Sequence, residues 1–289
     1  MKIRRILLPT DLSEAADRAL KQAVELAAQH RAKIDILHVA TLEKLDPANF
    51  QQSLNAYMAK VEDEVFSDLA TRSDAIKTRG LAVETVVVRR LYPVEGILER
   101  IRETEPDVVV MGTHGRSGFR KLLLGSVAAR IVLEAPCPVM TVAMDAEVAE
   151  GEKGFDPILV PVDFSEYSEK AVETAQALRA PSGRLILEHV VSSPVHPSLY
   201  AGGVTKLFQL HPELPSLIGN KLSELYQGPG EIVVTEGSIV EEILETARSK
   251  KAQLIVMGTR GLSRPDYLLL GSVTERVIGR AKVPVFAVK

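Results

Sequence analysis

The chain is written twice. "RRILLPTDLSEAADRALKQAVELA" from Arg4 returns as "DPILVPVDFSEYSEKAVETAQALR" from Asp156. "IDILHVA" from Ile34 returns as "LILEHVV" from Leu185, and "VEGILERIRETEPDVVVMGTHG" from Val94 as "VEEILETARSKKAQLIVMGTRG" from Val240. "CPVMTVAM" near residue 140 closes the first half as "VPVFAVK" closes the second. The period is about half the chain, so this is a duplicated domain and not a short-period solenoid. A length of 289 residues also suits two domains at roughly 100–200 residues each. The expected limits are a first domain over 1–145, a linker over 146–155 and a second domain over 156–289. The linker stretch "MDAEVAEGEKGFDP" is acidic, holds two glycines and ends in proline, a composition suited to an exposed connection.

Each copy alternates short β-branched runs with amphipathic helical patterns. "KIRRILLP" reads as a strand. Ser13 can cap the helix after it, whose apolar positions Ala16, Leu20, Ala23, Val24 and Ala27 keep helical spacing. "KIDILHVA" reads as a strand, Asn49 to Lys77 as a long helix with a solvated charged face, and "LAVETVVV" as a strand. "VEGILERIRE" is a helix, "DVVVMG" a strand, "LGSVAARIVLEA" a helix and "PVMTVAM" the fifth strand. Such alternation with apolar strands implies a parallel α/β sheet covered on both faces. The second copy departs at "SSPVHPSLYAGGVTKLFQLHPELPSLIGNKL", where prolines and glycines forbid one uninterrupted helix. The apolar fifth strands would be open sheet edges unless covered, so the two domains are expected to pair through them as a pseudo-dimer within the chain. A further homodimer stays open.

Several chemistries are excluded or weakened. A formal net charge of −3, no Trp and 4% aromatics give no general attraction to nucleic acid and no base-stacking surface. No run approaches the roughly 20 apolar residues of a membrane span. The apolar stretch after the basic N-terminus, Ile6 to Leu8, is too short for a secretory signal. Cys137 is the single cysteine, so an intrachain disulfide and a thiolate zinc site are excluded, and a cytoplasmic setting is expected. Between two prolines, Cys137 reads as a buried small hydrophobe rather than a reactive thiol. His196 and His211 lie near Glu188 and Glu213 in sequence, a weak pattern for zinc. His38 and His189 hold equivalent strand positions and read as structural.

The two glycine stretches carry the functional signal. "VVVMGTHGRSGFRKLLLGSVAARIV" and "LIVMGTRGLSRPDYLLLGSVTERVI" both run from an apolar strand into Gly-x2-Gly, then nine residues, then Gly-Ser opening a helix. Ligands of open α/β sheets bind beyond the carboxyl ends of strands where strand order reverses. With an assumed order of 3-2-1-4-5, the glycine loops face "PTDLS" and "PVDFS" across that point. Gly112 and Gly115 permit a positive φ and let a ligand approach the backbone. The N–H groups behind Gly125, with the Ser126 hydroxyl, suit an anion. Asp11 can accept from ribose hydroxyls. Each piece also has a plain reading: a turn, an ordinary N-cap, and capping by Asp11 and Ser13. The repeat of the whole combination in both copies favours a ligand site. There is no Walker-type P-loop and no dinucleotide Gly-x-Gly-x-x-Gly. No dedicated base accompanies the motif, so binding is expected with little or no efficient hydrolysis; His114 reads as a loop residue.

Gly-x2-Gly-x9-Gly-Ser resembles the ATP-binding signature of the universal stress protein family, matched at Gly112, Gly115, Gly125 and Ser126 and again at Gly258, Gly261, Gly271 and Ser272. With "LLPTDLS" upstream and "LLLGSVAARIV" downstream, the chain resembles a tandem universal stress protein. The resemblance implies two Rossmann-like domains, each a five-stranded parallel sheet of order 3-2-1-4-5 flanked by helices. It implies a stress-response regulator or protective factor that binds ATP, with Mg2+ where the nucleotide carries it. Carried over by position, adenine contacts fall on Pro9, Thr10, Asp11 and Val39, and ribose and phosphate contacts on Met111, Gly112, His114, Gly115, Arg116, Gly125, Ser126 and Val127. The second copy offers Pro161, Val162, Asp163, Val190, Met257, Gly258, Arg260, Gly261, Gly271, Ser272 and Val273. The intervening loops differ. The first has Arg116, Arg120 and Lys121, and the second Arg264, Pro265 and Asp266. Phosphate charge therefore favours the first domain as the principal ATP site, with the second weak, empty or specialised for another ligand.

Overall fold

The computed structural model of the chain describes residues 1–41, 50–114, 124–148, 154–192, 207–261 and 270–289. In the first half, strands β1 (Arg5–Thr10), β2 (Lys33–Thr41), β3 (Val83–Arg90), β4 (Val108–Gly112) and β5 (Val139–Val142) alternate with helices α1 (Glu14–His30), α2 (Phe50–Lys77), α3 (Pro93–Thr104) and α4 (Ser126–Glu134). The second half repeats them as β6 (Ile158–Pro161), α5 (Glu166–Leu178), β7 (Leu185–Ser192), α6 (Leu207–Leu210), α7 (Leu214–Leu225), β8 (Gly230–Gly237), α8 (Ile239–Ser249), β9 (Leu254–Gly258), α9 (Ser272–Arg280) and β10 (Val285–Val288). The proline- and glycine-rich stretch is broken as its composition requires: its described part holds α6 and α7 in place of one long helix.

Strand order is β3-β2-β1-β4-β5-β10-β9-β6-β7-β8, so each half has the 3-2-1-4-5 order and the halves share one ten-stranded sheet. All pairings within a half are parallel. The seam alone is antiparallel: Val285 faces Thr141, Phe286 faces Met140 and Ala287 faces Val139. Both fifth strands are fully buried there, which removes the two edges that apolar sequence would otherwise expose. One apolar layer lies between the sheet and α1, α2, α5 and α7, and the other beneath α3, α4, α8 and α9.

The linker composition concealed an anchor. Asp145 and Glu147 are exposed, as expected, but Ala146 and Phe155 are each only 2% accessible and join the core. Glu147 N–H donates to Lys282 O in the second half. An acidic, glycine-containing stretch reads as solvated because sequence does not show the seam against which its ends pack.

Helix starts follow the capping chemistry. Ser13 Oγ accepts from Ala16 N–H, and Ser165 Oγ from Ser168 N–H, each at 3.3 Å. Ser13→Ala is expected to cost about 1 kcal/mol of unfolding free energy, measured by urea titration. Cys137 is half-buried rather than fully buried, and desolvation still pushes its thiol up to about 11, away from a reactive thiolate. No helix of the described residues is long and apolar enough to cross a membrane.

Candidate functional site

Both β1 and β6 end in the same local device. Asp11 Oδ1 accepts from Ser13 N–H at 3.1 Å and from Ser13 Oγ–H at 2.6 Å. Asp163 does the same for Ser165, at 3.0 and 2.5 Å. Between each pair stands a non-glycine residue in the left-handed region, Leu12 at φ 65° and Phe164 at φ 63°. That backbone is costly for a side-chain-bearing residue and persists only where the surroundings fix it. The aspartate and serine thus cap and shape the loop at the strand end. His38 and His189 brace it from the neighbouring strand, with Nδ1 2.9 Å from Thr10 O and 2.7 Å from Val162 O.

The glycine motifs close the other side. Gly112 has no left-handed backbone; its constraint is closeness, since a Cβ would stand 3.1 Å from Ala15 O. This corrects the expectation of a positive φ there: the end of β4 passes against α1, and that approach, not the turn, requires glycine. A Cβ on Gly125 would lie 2.8 Å from Thr113 O, the carbonyl that accepts Gly125 N–H at 2.9 Å. In the second copy a Cβ on Gly261 would lie 2.3 Å from Asp163 Oδ2, so glycine motif and strand-one aspartate meet there. Gly115 and Arg116 lie outside the described residues, as do the loop residues Arg120, Lys121, Arg264, Pro265 and Asp266 and the histidine His196.

Helices α4 and α9 start unlike α1 and α5. Their N-caps are Gly125 and Gly271, which make no side-chain cap hydrogen bond, and Ser126 and Ser272 are the first helical residues. No side-chain cap takes up the first-turn N–H groups, an arrangement that suits an anion.

In the first half these parts surround one cavity of about 430 Å³. Pro9, Thr10 and Asp11 line it from β1 and the loop that follows, Val39 from β2, Met111 and Gly112 from β4, and His114, Gly125, Ser126 and Val127 from the glycine turn and α4. Those ten are the first-copy residues singled out from sequence, apart from Gly115 and Arg116. The cavity has further walls that the sequence did not reveal. Leu37 lines it from β2, Pro93 and Ile97 from α3, and Glu64 and Asp68 from α2. Glu64 and Asp68 had read as part of a merely solvated face. They are exposed, yet they rim the cavity, and Arg72 approaches Asp68 at 3.7 Å. Thr113 Oγ1 lies 2.9 Å from His114 Nδ1, which holds that ring at the rim.

In the second half, Pro161 ends β6 with Val162 and Asp163 in the loop after it, Val190 lies on β7, Met257 and Gly258 end β9, and Gly271, Ser272 and Val273 open α9. Tyr167 stands where the first copy has Ala15: a Cβ on Gly258 would lie 2.7 Å from Tyr167 Cβ. Arg260 Nη1 donates to Tyr167 Oη at 3.3 Å. Phe164 packs against His189 in a tilted pair, ring centres 4.9 Å apart and planes at 37°, and the Lys221 ammonium from α7 lies 4.2 Å from the Phe164 ring centre. Glu188, the residue before His189 on β7, is wholly inaccessible. Its Oε1 accepts from Thr246 Oγ1 at 2.6 Å, and its Oε2 has no hydrogen-bond partner. Burial, with the Glu242 charge nearby, pushes the Glu188 carboxyl up to about 7. Among the described residues no His, Cys, Asp and Glu group is arranged to hold a metal, and His211 pairs only weakly with Glu213 at 3.2 Å.

The arrangement has relatives. The family model described as "Universal stress protein family" matches residues 2–143 and again 154–289. A universal stress protein of Mycobacterium bovis is 28% identical over 297 residues, covering 98% of this chain and 96% of its own length. One from Thermus aquaticus is 30% identical over 141 residues, 48% of this chain and 98% of its own. The crystal structure of a universal stress protein from Archaeoglobus fulgidus superposes with a TM-score of 0.72 at 26% identity, covering 100% of this chain and 99% of that one. With two family matches that span both halves of the repeat and a whole-chain structural likeness, the chain belongs to the universal stress protein family, as a tandem member with two such domains.

Proposed function

We propose that the protein binds ATP in the first-half cleft and acts as a cytoplasmic stress-response regulator or protective factor, with little or no efficient hydrolysis. The observation that carries this reading is the cavity itself. It lies at the carboxyl ends of the strands, at the switch between β1 and β4, where α/β sheets take ligands. Its volume falls in the range of roughly 300–1,000 Å³ usual for small-molecule sites. The residues present fit the nucleotide. Leu37, Val39, Ile97 and Met111 give an apolar slot for a base, and α4 turns its uncapped N–H groups toward the phosphate side. Bound ATP would supply a charged ligand whose arrival the surface of the protein can report. The chain orients it through Gly112 and Gly125 and excludes water from the base with its apolar walls. The expectation of little hydrolysis comes from the sequence, in which no dedicated base accompanies the glycine motif.

Protein purified without added nucleotide, then denatured and analysed by absorbance and mass spectrometry, should release an adenine nucleotide. A nucleotide-free protein that also fails to take up ATP would favour an interaction scaffold of the same fold. Asp11→Ala is expected to weaken ATP binding severalfold and 2′-deoxy-ATP binding less. Equal losses for both nucleotides, measured by calorimetry, would restrict Asp11 to its capping role.

A further inference from the structure

The strand order ends at β3 on one side and at β8 on the other. Each of these strands is eight residues long and holds no proline, and β3 runs Thr85-Val86-Val87-Val88 through its middle. A long β-branched edge is a template for another strand. The parallel ladder decides which residues of β3 face outward. Ile34 N–H donates to Ala82 O at 2.9 Å and Ile34 sits opposite Val83, so Glu84, Val86, Val88 and Arg90 turn their backbone groups to β2. Val83, Thr85, Val87 and Arg89 turn theirs away from the sheet. Phe66, Leu91 and Tyr92 are each more than half exposed and lie along the same border. Leu91 and Tyr92 follow β3 directly. On α2, Val65 and Leu69 are buried against the sheet and Arg72 reaches Asp17 of α1, so helical spacing puts Phe66 on the flank turned away from α1 and toward β3.

The charges on β3 match a second β3. Two copies laid antiparallel with Val87 opposite Val87 bring the outward residues into hydrogen-bonded pairs, Thr85 against Arg89, and set Glu84 directly opposite Arg90 on both sides of the two-fold axis. The neighbouring registers set Glu84 opposite Val88 or Tyr92 and lose both opposite-charge pairs. In the matched register Val86 meets Val88 on one face of the sheet, and Val83 meets Leu91 on the other. β8 has no such self-match: its charges, Glu231 and Glu236, are both acidic, and Glu236 accepts from the N–H groups of Leu207 and Phe208 that begin α6. We propose that β3 is a homodimer interface, through which two copies of the chain join antiparallel about Val87 into one continuous sheet. Glu84 is flanked by Lys33 and Arg100 of its own chain, and Arg90 by Glu99, so both charges are held at the edge. Arg90 Nη1 donates to Arg89 O at 2.7 Å. On pairing it turns to Glu84 of the second copy, which releases Arg89 O to accept from Thr85 N–H across the axis.

The test is sedimentation velocity of the intact chain over the micromolar range, for the wild type and three variants. The wild type is expected to sediment as a dimer, with no larger species. Thr85→Lys sets cation against Arg89 at two places and is expected to raise the dimer dissociation constant about tenfold. Thr85→Glu sets an opposite charge there and is expected to lower it by about the same factor. A variant that tightens the dimer cannot act by unfolding the chain. Val87→Pro removes an outward N–H at the axis and spares the bonds to β2, so it is expected to abolish the dimer with an unchanged circular dichroism spectrum. A wild type that stays monomeric overturns the interface. So does a dimer equally tight in all three variants, or one that both Thr85 variants shift in the same direction. Species that keep growing with concentration would show β3 joined head-to-tail to β8 and would overturn the closed dimer.

Discussion

Replacing Gly125 by valine is expected to lower the affinity of the protein for ATP at least tenfold while leaving the ten-stranded sheet intact. The reason is local and steric. Gly125 N–H is held at 2.9 Å by Thr113 O, and any Cβ at this position would stand 2.8 Å from that same oxygen. Valine adds two branches to that Cβ and must push the start of α4 away from Thr113 and His114. The first-turn N–H groups then no longer point at the position a phosphate would take, and loss of one or more charge-assisted hydrogen bonds is worth at least a factor of ten. The clash sits beyond the strand end, so circular dichroism should be unchanged. Gly271→Val, in the second copy, is expected to leave ATP binding alone. A Gly125→Val protein that binds ATP as tightly as the wild type would remove α4 from the site.

The second large effect concerns stability rather than binding. Glu188 is buried without access to water, and its carboxyl is raised from 4.5 to about 7. A carboxyl that holds its proton more tightly in the folded chain favours folding fully below 4.5, and that contribution is lost as pH rises through about 7. At pH 8 the folded state therefore carries a buried charge with one oxygen unpaired. Glu188→Gln removes the titration and keeps an acceptor for Thr246 Oγ1. Relative to the wild type, the glutamine variant should gain stability as pH is raised from 4.5 to 8, by roughly 3 kcal/mol. Urea denaturation at pH 5 and pH 8 measures it. Parallel pH dependence in the two proteins would mean that Glu188 ionises as freely in the folded state as in the unfolded one.

Much of the fold was legible because its signals are local or repeated. Helical spacing from Ala16 to Ala27, the capping serine at 13 and the β-branched strands are written in consecutive residues. The pairing of the fifth strands was legible for a different reason: two apolar fifth strands in one chain each need an edge partner, and they supply it to each other; that they pair antiparallel is read from the structure. What stayed hidden depends on approaches between distant segments. Gly112 is glycine because of Ala15, which lies on α1, and nothing at the end of β4 announces that contact. Glu64 and Asp68 looked like any exposed helix face because the tilt of α2 over the strand ends decides which exposed residues rim a cavity. Leu37 escaped notice as one apolar residue among several in β2. The exchange of Leu37 for Glu188 was visible in the aligned copies, and reading the repeat for its differences as well as its matches would have found it.

The central claim is that the first half holds a nucleotide cleft built from Pro9 to Asp11, the β4 end and the start of α4. Titration of the intact protein with ATP in a calorimeter tests it most directly, run in parallel on the Gly125→Val and Gly271→Val variants. The account predicts one dominant ATP site per chain, lost with Gly125→Val and preserved with Gly271→Val. Binding that disappears only with Gly271→Val, or no heat of binding in any of the three proteins, would contradict it.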